Sequence, residues 1–179
     1  MVSRIAMVFV LAVGLAGCAA PMEIASEQAA GAELGRLRTY QWLPSDGAKT
    51  AAIREAVAPF VDRELQAKGY GLAAGEPDFQ VGSELVVENK IQLTKISTSL
   101  PGDPGRRAPG GAMAMHHMTT VREFSEGTLI ITVVDPRSKS PVWRGWAETT
   151  LNPSAPPEQR VARLAEAVAK ILEQFPSRR

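Results

Sequence analysis

An α+β fold follows from the sequence: a two-layer sandwich in which a mostly antiparallel sheet of about four to six strands carries two helices on one face. Two stretches space their apolar residues by three and four, as one-sided helices do: Ile53, Val57, Phe60, Val61 and Leu65 in one, Val161, Leu164, Val168, Ile171, Leu172 and Phe175 in the other. Between them Val81, Leu85, Val87, Ile91 and Leu93 alternate with polar residues at period two, which describes a strand with one wet face and one that needs a cover. A third signal is the turn-rich segment 135–141 (DPRSKSP), which joins two β-forming runs as a hairpin. With 45% hydrophobic and 22% charged residues in 179, the chain has the composition of a globular protein and the length of one domain with an appendage.

The appendage is at the amino end. Met1 to Arg4 give a short positive start, Ile5 to Gly14 an apolar run, and Leu15-Ala16-Gly17-Cys18 follows. The run falls well short of the ~20 residues that span a bilayer, and with these flanks it reads as a secretory leader over residues 1–17. Leu-Ala-Gly-Cys resembles the bacterial lipobox, which implies diacylglycerol on the Cys18 thiol and cleavage just before it. Two or three acyl chains, at about 0.8 kcal/mol per buried methylene, anchor a protein stably. Cys18 is the only cysteine, so lipid there leaves no thiol for a disulfide, a nucleophile or a metal. Ala19 and Ala20 follow it in place of the aspartate that retains lipoproteins at an inner membrane, so the expected location is the periplasmic face of an outer membrane. Residues 18–35, rich in Ala, Glu, Gln and Gly, read as a flexible tether, and 36–179 as one domain.

Within that domain Leu37 to Leu43 is rich in β-formers and stops at the turn signal Pro44-Ser45-Asp46-Gly47. Tyr40 and Trp42 share one face of this strand and are expected in the core. A helix is predicted from Thr50, a candidate cap, to Lys68, with Gly69 as its stop. Pro59 inside it costs about 3 kcal/mol or forces a kink, so a bend or two shorter pieces is expected there. The period-two run from Phe79 to Ile96 would extend about 60 Å as one strand, so a bend, bulge or turn near Asn89 is expected. Residues 98–117, dense in Gly and Pro, read as a disordered loop. Thr119–Phe124, Gly127–Val134 and Val142–Leu151 then read as three antiparallel strands. In the last, Trp143, Gly145, Ala147 and Thr149 share one face, the small residues leaving room for the indole or a helix, and Val142, Arg144, Trp146 and Glu148 share the other. After the Pro-rich 152–157 turn the second helix runs to Phe175.

Charge excludes one class of function. Removing Arg4 with the leader from the 20 basic residues makes them equal in number to the 19 acidic ones, and the basic cluster Arg106-Arg107 is only a pair in the Gly/Pro loop. A nucleic-acid surface needs concentrated cations, so no nucleic acid is expected as partner. No nucleophile elbow, zinc-helix motif or phosphate loop is present, and Asp62, Glu64 and Glu166 fall in solvent-facing helical patterns. The chain therefore reads as non-enzymatic and without a cofactor. Met113, Met115, His116, His117 and Met118 form a soft donor set suited to Cu(I), the basis of an alternative reading as a periplasmic copper-binding lipoprotein. Trp143, Arg144 and Trp146 form a candidate recognition patch, since aromatics and arginine are favoured at binding surfaces.

Three segments carry a family resemblance: Thr39-Tyr40-Gln41-Trp42-Leu43-Pro44 with the helix ending Lys68-Gly69-Tyr70; Pro77-Asp78-Phe79-Gln80-Val81; and Glu126-Gly127-Thr128-Leu129-Ile130-Ile131, then Val134-Asp135 and Val142-Trp143-Arg144-Gly145-Trp146-Ala147, before a terminal helix. In this order, over nearly the whole mature chain, they resemble the bacterial lipoprotein family catalogued as domain of unknown function 4136. The resemblance implies a secreted, lipid-anchored envelope protein with a protein, glycan or lipid partner, and supplies no reaction, ligand or catalytic residue. The chain departs from the pattern twice. Family members often carry a strand-like segment ahead of Thr-Tyr-x-Trp, where this chain is Ala/Glu-rich, and its mid-chain loop has Met and His where aromatics are common.

Overall fold

The computed structural model describes residues 21–98 and 116–178. Strands β1 (Met22–Gln28) and β2 (Thr39–Trp42) precede helix α1 (Ala48–Ala67), followed by β3 (Gly71–Leu72), β4 (Phe79–Thr98), β5 (His116–Val134), β6 (Pro141–Leu151) and helix α2 (Pro157–Glu173). They form a six-stranded sheet in the order β1-β6-β5-β4-β2-β3. Neighbours from β1 to β4 pair antiparallel, whereas β2 runs parallel to both β3 and β4. The parallel pairs follow from the β2–α1–β3 connection, because a helix between two strands carries the chain back to where it began.

Both helices cover one face of the sheet. Val57, Val61 and Leu65 of α1 and Ala167, Val168, Ile171 and Leu172 of α2 share one buried cluster with Tyr40, Phe79, Val81, Leu129, Ile131, Val133, Trp143 and Ala147 of the sheet. Each fully buried aliphatic side chain contributes about 1.5–3 kcal/mol. The helical spacing read from the sequence and the period-two alternation thus converge on one core. Phe175, just past α2, is its aromatic hub, with ring centroids 5.0 Å from Trp143, 5.4 Å from Tyr70 and 6.0 Å from Phe79. The carboxyl-terminal segment is strapped down behind it, where Tyr70 Oη donates to the Pro176 carbonyl at 3.0 Å and the Arg178 amide to that of Lys68 at 3.0 Å.

The structure corrects the sequence reading in four places. Residues 22–28, expected within the tether, are an edge strand paired along β6 from Met22↔Thr149 to Gln28↔Trp143. Only Met22 and Ile24 rest against the core, so its Glu- and Gln-rich outer side hides the strand in the composition. A strand thus precedes Thr39-Tyr40-Gln41-Trp42, where the Ala/Glu-rich composition suggested none. β4 is a single 20-residue strand with no break at Asn89, because β5 runs beside it in unbroken register from Gln80↔Val134 to Thr98↔His116. The two strands expected within 119–134 are accordingly one, and Gly127 is no turn: it lies beneath Leu151, whose Cδ2 would stand 2.7 Å from a Cβ at that position. α1 starts at Ala48, ahead of the expected Thr50 cap, and runs through Pro59 as one helix. Pro59 is on its exposed side, where water meets the carbonyl left without a donor. Strand persists to Thr98 and resumes at His116, and residues 99–115 of the expected loop lie outside the described residues.

Candidate functional site

Sheet register builds the most exposed apolar feature of the described residues. β2 pairs with β4 only through Phe79, Gln80 and Val81, and β6 meets β5 only from Ser125 onward. Beyond Lys90↔Phe124, β4 and β5 have only each other and continue as a two-stranded ribbon to Thr98↔His116, about 30 Å in length. Alternation puts Val87, Ile91 and Leu93, with Val121 opposite Leu93, on the side that faces the helices lower down the sheet. No helix among the described residues reaches that far, and these side chains remain 51%, 65%, 62% and 58% exposed. Glu123, opposite Ile91, is a charge on the same side.

On the reverse side polar residues surround a half-buried Phe124, and the ribbon's base is fastened by charge. Lys90 Nζ pairs with Glu126 and, at 3.4 Å, with Glu148. The hydrogen bond from Lys90 holds the Glu126 carboxyl below its ordinary pKa and, in return, raises that of the Lys90 ammonium. On the apolar side, between Val87 and Ile91, Ser125 Oγ donates to Asn89 Oδ1 at 2.7 Å across the strands. Glu88 stands directly opposite Glu126, a like-charge pair that Lys90 partly offsets.

The candidate recognition patch divides. Trp143 is 3% exposed and packs on Phe175, whereas Trp146 is half-buried on the opposite face beside Ile130. Arg144 shares the Trp146 face and pairs with Glu27 of β1 at 3.6 Å. Of the soft donor set, Met113 and Met115 lie outside the described residues, as does Cys18. His116, His117 and Met118 open β5, their backbones opposite Thr98, Ser97 and Ile96. Among the described residues no group of three or more His, Cys, Asp or Glu is gathered as a metal site would require.

One polar cluster in the layer between strand and helix was not legible beforehand. Tyr40 Oη donates to Asp62 Oδ1 at 2.9 Å, and Trp42 Nε1 to the same oxygen at 3.0 Å. Asp62, assigned by pattern to the wet side of α1, is thus turned to the sheet. The available signal was two aromatics on one strand face, each with a polar tip that needs an acceptor when buried. Burial, and then the Asp62 carboxylate, push the Tyr40 hydroxyl well above the usual tyrosine range.

A cleft of about 420 Å³ between the Leu34 turn, Asp78 and the β5–β6 hairpin contains two carboxylates with depressed pKa values. Asp78 accepts from the amides of Thr39 and Arg38, which lower its pKa, at 3.0 and 2.8 Å. Asp135 is lowered by the Arg137 amide at 2.8 Å and the Ser138 hydroxyl at 3.0 Å. Asp78 ties the start of β4 to the start of β2, and Asp135 fastens its own hairpin turn.

Comparison with known proteins agrees with this fold. The family model described as "Domain of unknown function (DUF4136)" matches residues 24–177. No curated protein sequence matches the chain. The crystal structure of a PDZ domain protein from Parabacteroides distasonis is similar over 89% of this chain, with a TM-score of 0.55 and 13% identity; the chain spans 36% of that protein's length. A PelC dodecamer from Paraburkholderia phytofirmans is similar over 89% of this chain and all of that one, with a TM-score of 0.50 and 10% identity. At these identities the likeness is one of fold. No helix among the described residues is long and apolar enough to cross a membrane.

Proposed function

The chain belongs to the family described as domain of unknown function DUF4136, and we propose that this member is a lipid-anchored lipoprotein of the cell envelope, acting as a non-enzymatic binding module through its β4–β5 ribbon. The anchor is Cys18, placed by the lipobox-like Leu15-Ala16-Gly17-Cys18 at the end of a secretory leader. The observation that carries the binding reading is the ribbon itself, which holds Val87, Ile91, Leu93 and Val121 in solvent beyond both helices. Apolar side chains gathered on a projection in solvent mark an interaction surface. Asp78 ties β4 to β2, Asp135 holds its hairpin and the Asp62 cluster holds the core, which supports assigning them to structure.

Envelope fractionation and crosslinking of the full chain test this reading. The parent is expected in the membrane fraction and Cys18→Ala in the soluble fraction; a Cys18→Ala chain that stays with the membrane overturns the anchor. Crosslinked material from the parent is expected to contain an envelope component that is lost on replacing Ile91 and Leu93 by Ser. Retention of the same component by that variant overturns the ribbon as the binding surface.

A further inference from the structure

We propose that the ribbon's apolar stripe docks on the surface of the bilayer in which the chain is anchored, so that the protein is held to its membrane at two points: the Cys18 lipid and the Val87–Ile91–Leu93–Val121 side of the ribbon. This rests on the anchoring proposed above and names what the ribbon meets.

The argument is one of direction and length. Met22 pairs with Thr149, Thr149 with Gly127, and Gly127 with Val87, so these four residues form one row across the sheet. β4 climbs past this row towards Thr98, and β1 descends from it towards Gln28. The chain that leads back from Met22 to Cys18 therefore leaves the sheet at the end from which the ribbon projects. Three residues, and so four Cα-to-Cα steps, separate Met22 from Cys18, and a polypeptide of that length spans at most about 14 Å in any conformation. From Val87 to Thr98 the ribbon extends about 36 Å beyond the same row. A linker so much shorter than the projection beside it holds that end of the sheet at the membrane, and the ribbon meets the bilayer where the sheet stands or tilts on its ribbon end.

Side-chain chemistry selects the side that meets lipid. Ile91, Leu93, Val121 and Val87 are more than half exposed and face one way, with the Asn89–Ser125 pair among them, while Lys90, Gln92, Thr94, Thr120 and Arg122 face the other around a half-buried Phe124. A ribbon with one apolar and one polar side seats its apolar side in the interface, as amphipathic helices do, with the sheet tilted on its ribbon end so that α1 and α2, on the same side lower down, clear the leaflet. Glu123, on the apolar side, sets the depth at the headgroups and not within the acyl chains. Docking there immobilises the domain against the leaflet, whereas lipid on a free tether leaves it to swing.

The lipidated full chain, reconstituted into vesicles of phosphatidylethanolamine and phosphatidylglycerol, tests the proposal. With Cys18 acylated, Leu93→Cys supplies a single thiol for the environment-sensitive fluorophore nitrobenzoxadiazole. Leu93 is exposed, so the substitution leaves the core intact. Emission at 93 is expected to shift to shorter wavelength on vesicles and to be quenched by brominated acyl chains. The same label at Arg137→Cys, in the hairpin at the opposite end of the sheet, is expected to stay water-like. A chain that remains on the vesicles while position 93 stays water-like overturns the docking and leaves the anchor standing. Equal quenching at both positions overturns the assigned orientation. A shift that follows protein concentration and not lipid assigns the stripe to a second copy and overturns the proposal. Loss of the whole chain from the vesicles overturns the anchor and the docking with it.

Discussion

The Trp143 indole lies over Gly145, so close that a Cβ at 145 would stand 2.8 Å from Trp143 Cζ2 and the same distance from Ile171 Cγ2 of α2. Both neighbours are buried, so neither has room to withdraw. Gly145→Ala is expected to destabilise the fold by about 1–3 kcal/mol, the range for overpacking. Gly127→Ala is expected to cost less than about 1 kcal/mol, because the atoms it meets are the end of the half-buried Leu151 side chain. Urea midpoints of the two variants, compared with the parent, check the order; equal midpoints refute it.

Asp62 is expected to be worth more to stability than either of its partners. Asp62→Ala orphans the Tyr40 hydroxyl and the Trp42 N–H together, at about 1–3 kcal/mol for each unsatisfied group. Asp62→Asn keeps an acceptor oxygen and should lose less than half as much. Adding Tyr40→Phe to Asp62→Ala should cost less than Tyr40→Phe in the parent, which a double-mutant cycle by denaturant unfolding reads directly.

Alkali should unfold the protein through its tyrosines. Tyr40 and Tyr70 are both raised above the ordinary value, by burial first, with Asp62 adding to the shift at Tyr40 and Arg178 opposing it at Tyr70. A raised folded-state pKa stabilises fully below the unfolded value of about 10 and loses that contribution as pH climbs from there towards the folded value. Stability is therefore expected to fall above pH ~10, and Tyr40→Phe to remove about half of that slope. An unchanged slope in the variant overturns the assignment.

On the acid side the sign reverses. Asp78 is held below the ordinary aspartate range by the amides of Thr39 and Arg38, so its contribution is present above the unfolded pKa and is lost as pH falls through the folded one. Asp78→Asn should flatten the stability curve below pH ~4, measured by thermal unfolding across pH. A variant with the parent's acid limb would place the sensitivity elsewhere.

Ribbon substitutions should separate docking from folding. Ile91 and Leu93 are 65% and 62% exposed, so replacing both by Ser is expected to change stability by less than about 0.5 kcal/mol for each. A large loss would show that the stripe is covered within the protein itself.

What the sequence disclosed depended on whether a residue's role was local. The helical stripe of α2 and the alternation of β6 carry their own period, and both elements stand where that period puts them. Pro59 and Asn89 suggested breaks by local rules, yet α1 and β4 run through them because packing on the sheet and pairing with β5 outweigh a single unfavourable position. β1 was illegible because only Met22 and Ile24 touch the core and its hydrogen-bond partner lies more than a hundred residues away. The period-two run disclosed that Ile91 and Leu93 share a face with Val81, but burial depends on how far the helices reach, which no alternation encodes. Asp62 was misassigned for a related reason, since helical phase does not record two donors waiting on the strand below.

The first strand of the sheet is the last that can close. Thr149 Oγ1 donates to the Pro21 carbonyl across 128 residues of chain, next to the pairing of Met22 with Thr149. A polypeptide that emerges amino end first exposes β1 long before β6 exists, and loop closure over that distance is slow compared with making the β5–β6 hairpin. β1 thus waits as an unpaired edge while the rest of the sheet assembles, and its docking marks completion of the fold. A chain arrested or cut short ahead of residue 149 would keep that edge open, available to chaperones and to misassociation alike.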